Sequence, residues 1–176
     1  EKLLALTTKC VIDWLTAQAE TIGDSVEGIL VLDDIVGFLS PAMYRRFAHP
    51  YLKQICDAFP AEWVKVYHND ANVRPLLSQL PDTGFDVLNW GHNVPVAEAA
   101  QKTGGKMCLM GNVNPLDIGV RGTPEQVEAA ARDVLASAQA ASAPLILSVG
   151  GGVSPGMPAD NIRALVRAAT HRTATA

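Results

Sequence analysis

His68 and Asp70 stand two residues apart at the end of the stretch VKVYHND, residues 64–70. On an extended segment that spacing puts an imidazole and a carboxylate on one face. Three chemistries share the pattern: two ligands for one metal ion, a histidine oriented by a carboxylate for proton transfer, or an ordinary polar cap on a buried strand. Polar residues of the same kinds close four other apolar runs. Asp33-Asp34 ends ILVLDD, Asn89-Trp90-Gly91-His92 ends FDVLNWGH, Gly111-Asn112-Val113-Asn114-Pro115 ends KMCLMGNVNP, and Gly150-Gly151-Gly152 ends PLILSVGGG. Together they supply two histidines, carboxylates, amides, an indole and a glycine loop that permits close backbone approach. Their coincidence at five strand ends points to an active-site mouth. Successive strand residues face opposite ways, so only one of Asp33 and Asp34 can share that mouth with His68.

Other chemistries drop out. The triple glycine has no lysine or Ser/Thr after it, so it is not a nucleotide phosphate loop. It still leaves a backbone site for a carboxylate or phosphate at the start of the last helix. No Gly-x-Ser-x-Gly elbow is present, and no serine pairs with a histidine at short range. His49, inside a helical segment, and His171, near the Ala/Thr-rich end, read as structural or solvated.

The elements that must position these residues alternate regularly. EKLLALTTKCVIDWLTAQAE carries Leu3, Leu4, Cys10, Val11 and Leu15 at helical spacing. ILVLDD, a continuous apolar run, reads as a buried parallel strand. Ser40 and Pro41 open a helix over SPAMYRRFAHPYLKQICDAF, which Pro50 should break or kink. WVKVYHND, FDVLNW, KMCLMGNV and PLILSVGGG are further strands. VRPLLSQLPDTG reads as a short helix, PVAEAAQKTGG and MPADNIRALVRAAT as longer ones, and TPEQVEAAARDVLASAQAA as the clearest, capped by Thr123 with Pro124 at its first position. Five strands alternating with helices mean parallel βα units. A five-stranded doubly wound sheet accommodates them, and so does part of a (β/α)8 barrel, whose usual length is about 250 residues. In both, ligands bind beyond the carboxyl ends of the strands. A beginning without Met that enters a helix directly favours part of a barrel within a longer protein.

Composition bounds the partners. The 176 residues hold 14 Lys and Arg against 18 Asp and Glu, with no basic run, which argues against nucleic acid or an anionic membrane surface as main partner. No apolar run reaches the roughly 18 residues of a membrane span, and no signal-peptide pattern opens the chain. Cys10, Cys56 and Cys108, far apart and odd in number, read as reduced core thiols in a cytoplasmic protein.

The succession LDDIVGFLSPAMYRRFAHPYLKQI, then YHNDAN, GNVNPLDIGVRGTPEQV and LILSVGGGVSPGMPADNIRALV resembles the uroporphyrinogen decarboxylase superfamily. The likeness covers nearly the whole chain, residues 1–176, as the carboxy-terminal part of a single (β/α)8 barrel of which about five βα units are present. It implies one of two chemistries: cofactor-free decarboxylation of a porphyrinogen, or transfer of a methyl group from a methylcorrinoid protein to a thiol activated by zinc. The methyltransferase pattern resembles His-x-Cys at one strand end and a Cys in the last glycine turn. Here His68 is retained, Asp70 stands for the Cys, and Gly151 stands where the methyltransferases have Cys and the decarboxylases His. A Cys-bearing zinc site is therefore absent, and oxygen ligands weaken the preference for zinc over other divalent ions. Asp34 matches a decarboxylase Ser and would repel a substrate carboxylate.

The reading that results is a one-carbon enzyme, a corrinoid-linked methyltransferase or demethylase. Asp34, His68 and Asp70 are the catalytic candidates; His68 and Asp70 are metal ligands or an acid/base pair, with Asp34 as a third ligand. Asn89, His92, Asn112, Gly150, Gly151 and Gly152 line the substrate pocket. The alternatives are a porphyrinogen decarboxylase and a non-catalytic protein that binds a tetrapyrrole or corrinoid. Five strands of an eight-stranded wall leave open edges, so the chain is expected either to self-associate into a homo-oligomer or to be the retained part of a larger protein.

Overall fold

The five apolar runs become five parallel strands: β1 (Gly28–Leu32), β2 (Val64–Asn69), β3 (Val87–Trp90), β4 (Cys108–Val113) and β5 (Leu145–Val149). The structure, a computed structural model, describes residues 1–170; His171 lies outside them. Strand order in the sheet is β1-β2-β3-β4-β5. A doubly wound sheet reverses its strand order at a switch point, and this one never does. Sequential order with a helical connection after each strand is the wall of a (β/α)8 barrel, here five units of it.

The α-helices among the described residues are α1 (Lys2–Ile22), α2 (Pro41–Phe47), α3 (His49–Asp57), α4 (Val96–Thr103), α5 (Pro124–Ala140) and α6 (Ala159–Thr170). Their ends follow local chemistry. The Ser40 side chain accepts from the Met43 N–H, and Thr123 and Gln126 form a reciprocal capping box at the start of α5. Helix α4 stops at Gly104, whose φ of 63° is left-handed. Pro50 breaks its segment as expected: it has no N–H for the Arg46 carbonyl, so α2 ends and α3 restarts around Ala48. VRPLLSQLPDTG forms two 3₁₀ turns, Leu77–Gln79 and Pro81–Thr83, in place of one short helix. Pro75 and Pro81, six residues apart, remove donors that an α-helical ladder across this segment would need.

The two faces of the sheet differ sharply. Ile29, Val31, Tyr67, Leu88, Trp90 and Leu109 are buried with Tyr44, Leu52, Ile55, Ala99 and Ala138 of the helical layer. Alternate residues point the other way, and Leu30, Leu32, Val64 and Ile146 are exposed there, Leu32 by 66%. Strand register aligns Leu32, His68, Asn89, Met110 and Ile146 as one row across this inner face. Two residues further along each strand, at the carboxyl ends, the row reads Asp34, Asp70, Gly91, Asn112 and Ser148.

Helix α1 packs mainly on α3 and leaves much of its apolar surface open, with Trp14 67% exposed. A groove of about 830 Å³ runs between α1, β1 and α3. The expectation of three core thiols is corrected here. Cys56 is buried and Cys108 half-buried, but Cys10 lies on the exposed side of α1. All three are free. No helix among the described residues is long and apolar enough to cross a membrane.

Candidate functional site

Strand alternation separates the adjacent aspartates. Asp34 leads into a 3₁₀ turn (Ile35–Phe38), and its Oδ1 accepts from the Asp70 N–H at 3.1 Å. Asp33 faces the helical layer, where the Tyr67 hydroxyl donates to its Oδ2 at 3.4 Å. Burial pushes the Asp33 carboxyl above the usual carboxylate range, against the opposing pull of hydrogen bonds from Val36, Tyr67 and Ile35. Burial raises the hydroxyls of Tyr44 and Tyr67 as well, so both stay neutral.

His68 is held from the neighbouring strand. Its Nδ1 lies 2.5 Å from Asn89 Oδ1, while Asn89 Nδ2 donates to the Met110 carbonyl at 2.7 Å. Because the amide nitrogen is committed to a carbonyl, Oδ1 must accept, and Nδ1 must carry the proton. The Nε2 lone pair is then free to bind a cation or take a proton. Asn89 is 4% exposed, with both ends of its amide engaged. Its position in the pocket is beside His68, in the same row.

Asp34, His68 and Asp70 each offer a ligand atom, and these atoms all lie within 4.8 Å of one another. Donors about 2.0–2.2 Å from a single ion stand roughly 3–4 Å apart, a gap that rotation of the exposed Asp34 and Asp70 side chains can close. The set is one imidazole and two carboxylates. It does not fit a thiolate-bearing zinc site, and it suits a divalent ion that accepts oxygen and nitrogen donors.

Glycines let the loops close over Asp70. In a flat sheet, β2 and β5 would stand about 14 Å apart, three strand spacings. Yet a Cβ at Gly151 would lie 2.7 Å from Asp70 Oδ2, and one at Gly150 would lie 2.6 Å from the His92 backbone nitrogen. The sheet therefore curls, and the loop after β5 folds inward across the mouth. A Cβ at Gly91 would meet the Asp70 carbonyl oxygen at 2.6 Å, so the loop after β3 also lies against this residue.

Other candidates sit apart. Asn112 is buried and donates to the Val94 carbonyl at 2.7 Å, which ties the loop after β3 to β4. The His92 side chain is exposed, and it is the backbone of that residue that meets Gly150. No atom lies within 4 Å of a Cβ built at Gly152. Arg74, on the loop after β2, donates to the Asn93 carbonyl and pairs with Glu98 at 3.4 Å.

Two residues absent from the sequence-based set belong to the framework. Asn69 is fully buried; its side chain donates to the Asp33 carbonyl and accepts from the Ala71 N–H at 3.0 Å. It thereby ties together the strand ends that carry Asp34 and Asp70. Its place between His68 and Asp70, facing the core, was the available signal, since a buried amide requires partners. Ser148 stands opposite Asn112 in the upper row and is marked in the sequence only by strand alternation.

Comparison with known proteins matches this architecture. The family model described as uroporphyrinogen decarboxylase (URO-D) matches residues 1–172. A uroporphyrinogen decarboxylase of Chlorobaculum parvum is 30% identical over 171 residues, covering 94% of this chain and 47% of the relative. One of Chlorobium luteolum is 30% identical over 170 residues, covering 93% of this chain and 46% of the relative. The chain thus spans about half the length of the curated relatives it matches. Among solved structures, a methyltransferase from Methanosarcina mazei superposes with a TM-score of 0.73 at 26% identity, over 82% of this chain and 42% of that one.

Proposed function

Because the chain belongs to the uroporphyrinogen decarboxylase (URO-D) family, we propose that its strand-end site serves metal-assisted transfer of a one-carbon unit, with a methylcorrinoid as donor. The observation that carries this reading is the convergence of Asp34, His68 and Asp70 within 4.8 Å. A divalent ion held by these donors would supply Lewis acidity, lowering the pKa of a thiol or hydroxyl acceptor bound beside it.

The chain's own residues have defined tasks in this reading. Asn89 keeps the Nδ1 proton of His68 in place, so that Nε2 faces the mouth as a lone-pair donor. Asp34 and Asp70 neutralise a cation, and the Asp70 N–H fixes the orientation of Asp34. The inner row of Leu32, Met110 and Ile146 lies beneath them and offers an apolar floor. Without the ion, the two carboxylates would repel a substrate that presents its own carboxylates, because like charges repel at close range.

The second reading is decarboxylation of a porphyrinogen without a cofactor, favoured by the names of the curated relatives at 30% identity. One experiment separates the two. The full chain is given methylcobalamin and a thiol, or uroporphyrinogen, with and without added divalent ion. Demethylation of the corrinoid that requires the ion and disappears in His68→Ala and Asp70→Ala supports methyl transfer. Loss of carboxyl groups from uroporphyrinogen in the presence of chelator overturns it. Corrinoid binding without turnover of either substrate assigns the chain to a non-catalytic binding role.

A further inference from the structure

Gly151 touches the metal-ligating set from across the sheet without offering a donor of its own. It is buried, its φ is +85°, and a Cβ built on it would lie 2.7 Å from Asp70 Oδ2, 3.0 Å from Asp70 Cβ and 3.3 Å from Asp70 Cγ. Those separations are too short for any side chain, so the Asp70 carboxylate stands in the volume that a side chain at position 151 would need. Gly91 closes the opposite flank, since a Cβ there would meet the Asp70 carbonyl oxygen. Two glycine loops thus approach Asp70 closely, one at its backbone carbonyl and the other at its carboxylate. Resting on the metal reading above, we propose that Gly151 is the positioning residue for the Asp70 carboxylate: its missing side chain lets Asp70 stand beside Asp34 and His68 as the third donor.

Any side chain at 151 must rotate the Asp70 carboxylate away or push back the loop after β5. Gly156 supplies the control. It lies in the same loop with a φ of +86°, and its Cβ position has no atom within 4 Å. Alanine at 156 therefore imposes the backbone strain of a left-handed residue without the collision.

Co²⁺ titration of the full chain, read by calorimetry and by the d–d absorption of the bound ion, tests the assignment. Gly151→Ala should weaken Co²⁺ binding at least about tenfold, the scale on which misplaced support of a metal ligand acts, and should alter the d–d spectrum. Gly156→Ala should keep the spectrum and hold the affinity within about twofold, because nothing in the ligand set moves. Wild-type affinity and spectrum in Gly151→Ala overturn the proposal, and so does an equal loss in both variants. A metal-free measurement stands beside it: the Tm loss caused by Gly151→Ala should shrink to that of Gly156→Ala once Asp70→Gly removes the opposing side chain. Equal losses with Asp70 present and removed overturn the packing claim itself. If the unaltered chain takes up no Co²⁺ while the Tm losses remain coupled, the metal reading falls and the positioning of Asp70 by Gly151 stands.

Discussion

Asn89→Leu removes the acceptor that fixes the His68 tautomer and leaves most of the side-chain volume in place. Two hydrogen bonds disappear, Asn89 Oδ1 to His68 Nδ1 at 2.5 Å and Asn89 Nδ2 to the Met110 carbonyl at 2.7 Å. Asn89 is 4% exposed while His68 and Met110 are half-buried, so water can replace the lost bonds only in part. Each bond contributes about 1 kcal/mol net, and a buried group left without a partner costs about 1–3 kcal/mol. Loss of both should lower stability by about 2–4 kcal/mol. The imidazole is also released to turn or to exchange tautomers, and the loss of such a supporting bond typically weakens metal binding about 10- to 100-fold, or about 1.4–2.7 kcal/mol. Calorimetric titration with Co²⁺ measures the affinity, and ¹⁵N shifts of the histidine ring report which nitrogen holds the proton. Asn89→Asp, which keeps an acceptor opposite Nδ1, should recover much of the affinity. The reasoning is refuted if Asn89→Leu binds Co²⁺ as tightly as the unaltered chain while His68→Ala does not. It is refuted equally if the ring shifts place the proton on Nε2 in the unaltered protein.

Two further outcomes follow from the surroundings of the site. Glu128 on α5 pairs with Arg132 at 2.6 Å and with Arg167 of α6 at 3.6 Å, and these contacts hold its carboxyl below the ordinary value of 4.5. A lowered carboxyl pKa contributes stability above the unfolded value that is lost as the pH falls through the folded one; Glu128→Gln should therefore flatten the acid limb of the Tm-against-pH curve, and curves that run parallel would remove Glu128 as a cause. Cys10 is exposed, whereas Cys56 is buried with its thiol pushed up to about 12 by burial. Iodoacetamide should label Cys10 first in the native chain, and equal labelling of Cys56, located by peptide mapping, would contradict the packing of α3.

The separation of Asp33 from Asp34 was legible in the sequence because strand alternation is a local rule, and the structure turns them to opposite faces as that rule demands. The five strands were legible for a related reason, since an apolar run closed by polar residues marks a parallel strand to its carboxyl end. Burial on both faces was not met, with Leu30 51% and Leu32 66% exposed on the inner face. Ser40, Thr123 and Pro50 also act where local chemistry places them. The 3₁₀ pair at Leu77–Gln79 and Pro81–Thr83 was less legible, since two prolines and a tertiary burial of Leu76, Leu77 and Leu80 compete there. Cys10 lies outside the core its spacing suggests, because helical spacing identifies an apolar face without showing what covers it.

Local order determined which residues reach the strand ends: Asp34 after β1, His68 and Asp70 at β2, Asn89 in β3 and the glycines after β5. Only the tertiary structure decided which of them meet. His68 and Asn89 are 21 residues apart and become neighbours through parallel register. Asp70 and Gly151 are separated by three strand spacings and touch because the sheet curls and the last loop folds inward. Periodicity encodes which face a side chain takes, but curvature and register are properties of the packed sheet. For that reason the candidate donors can be read along the chain, while the support of His68 by Asn89 and the space that Gly151 leaves for Asp70 exist only in the fold.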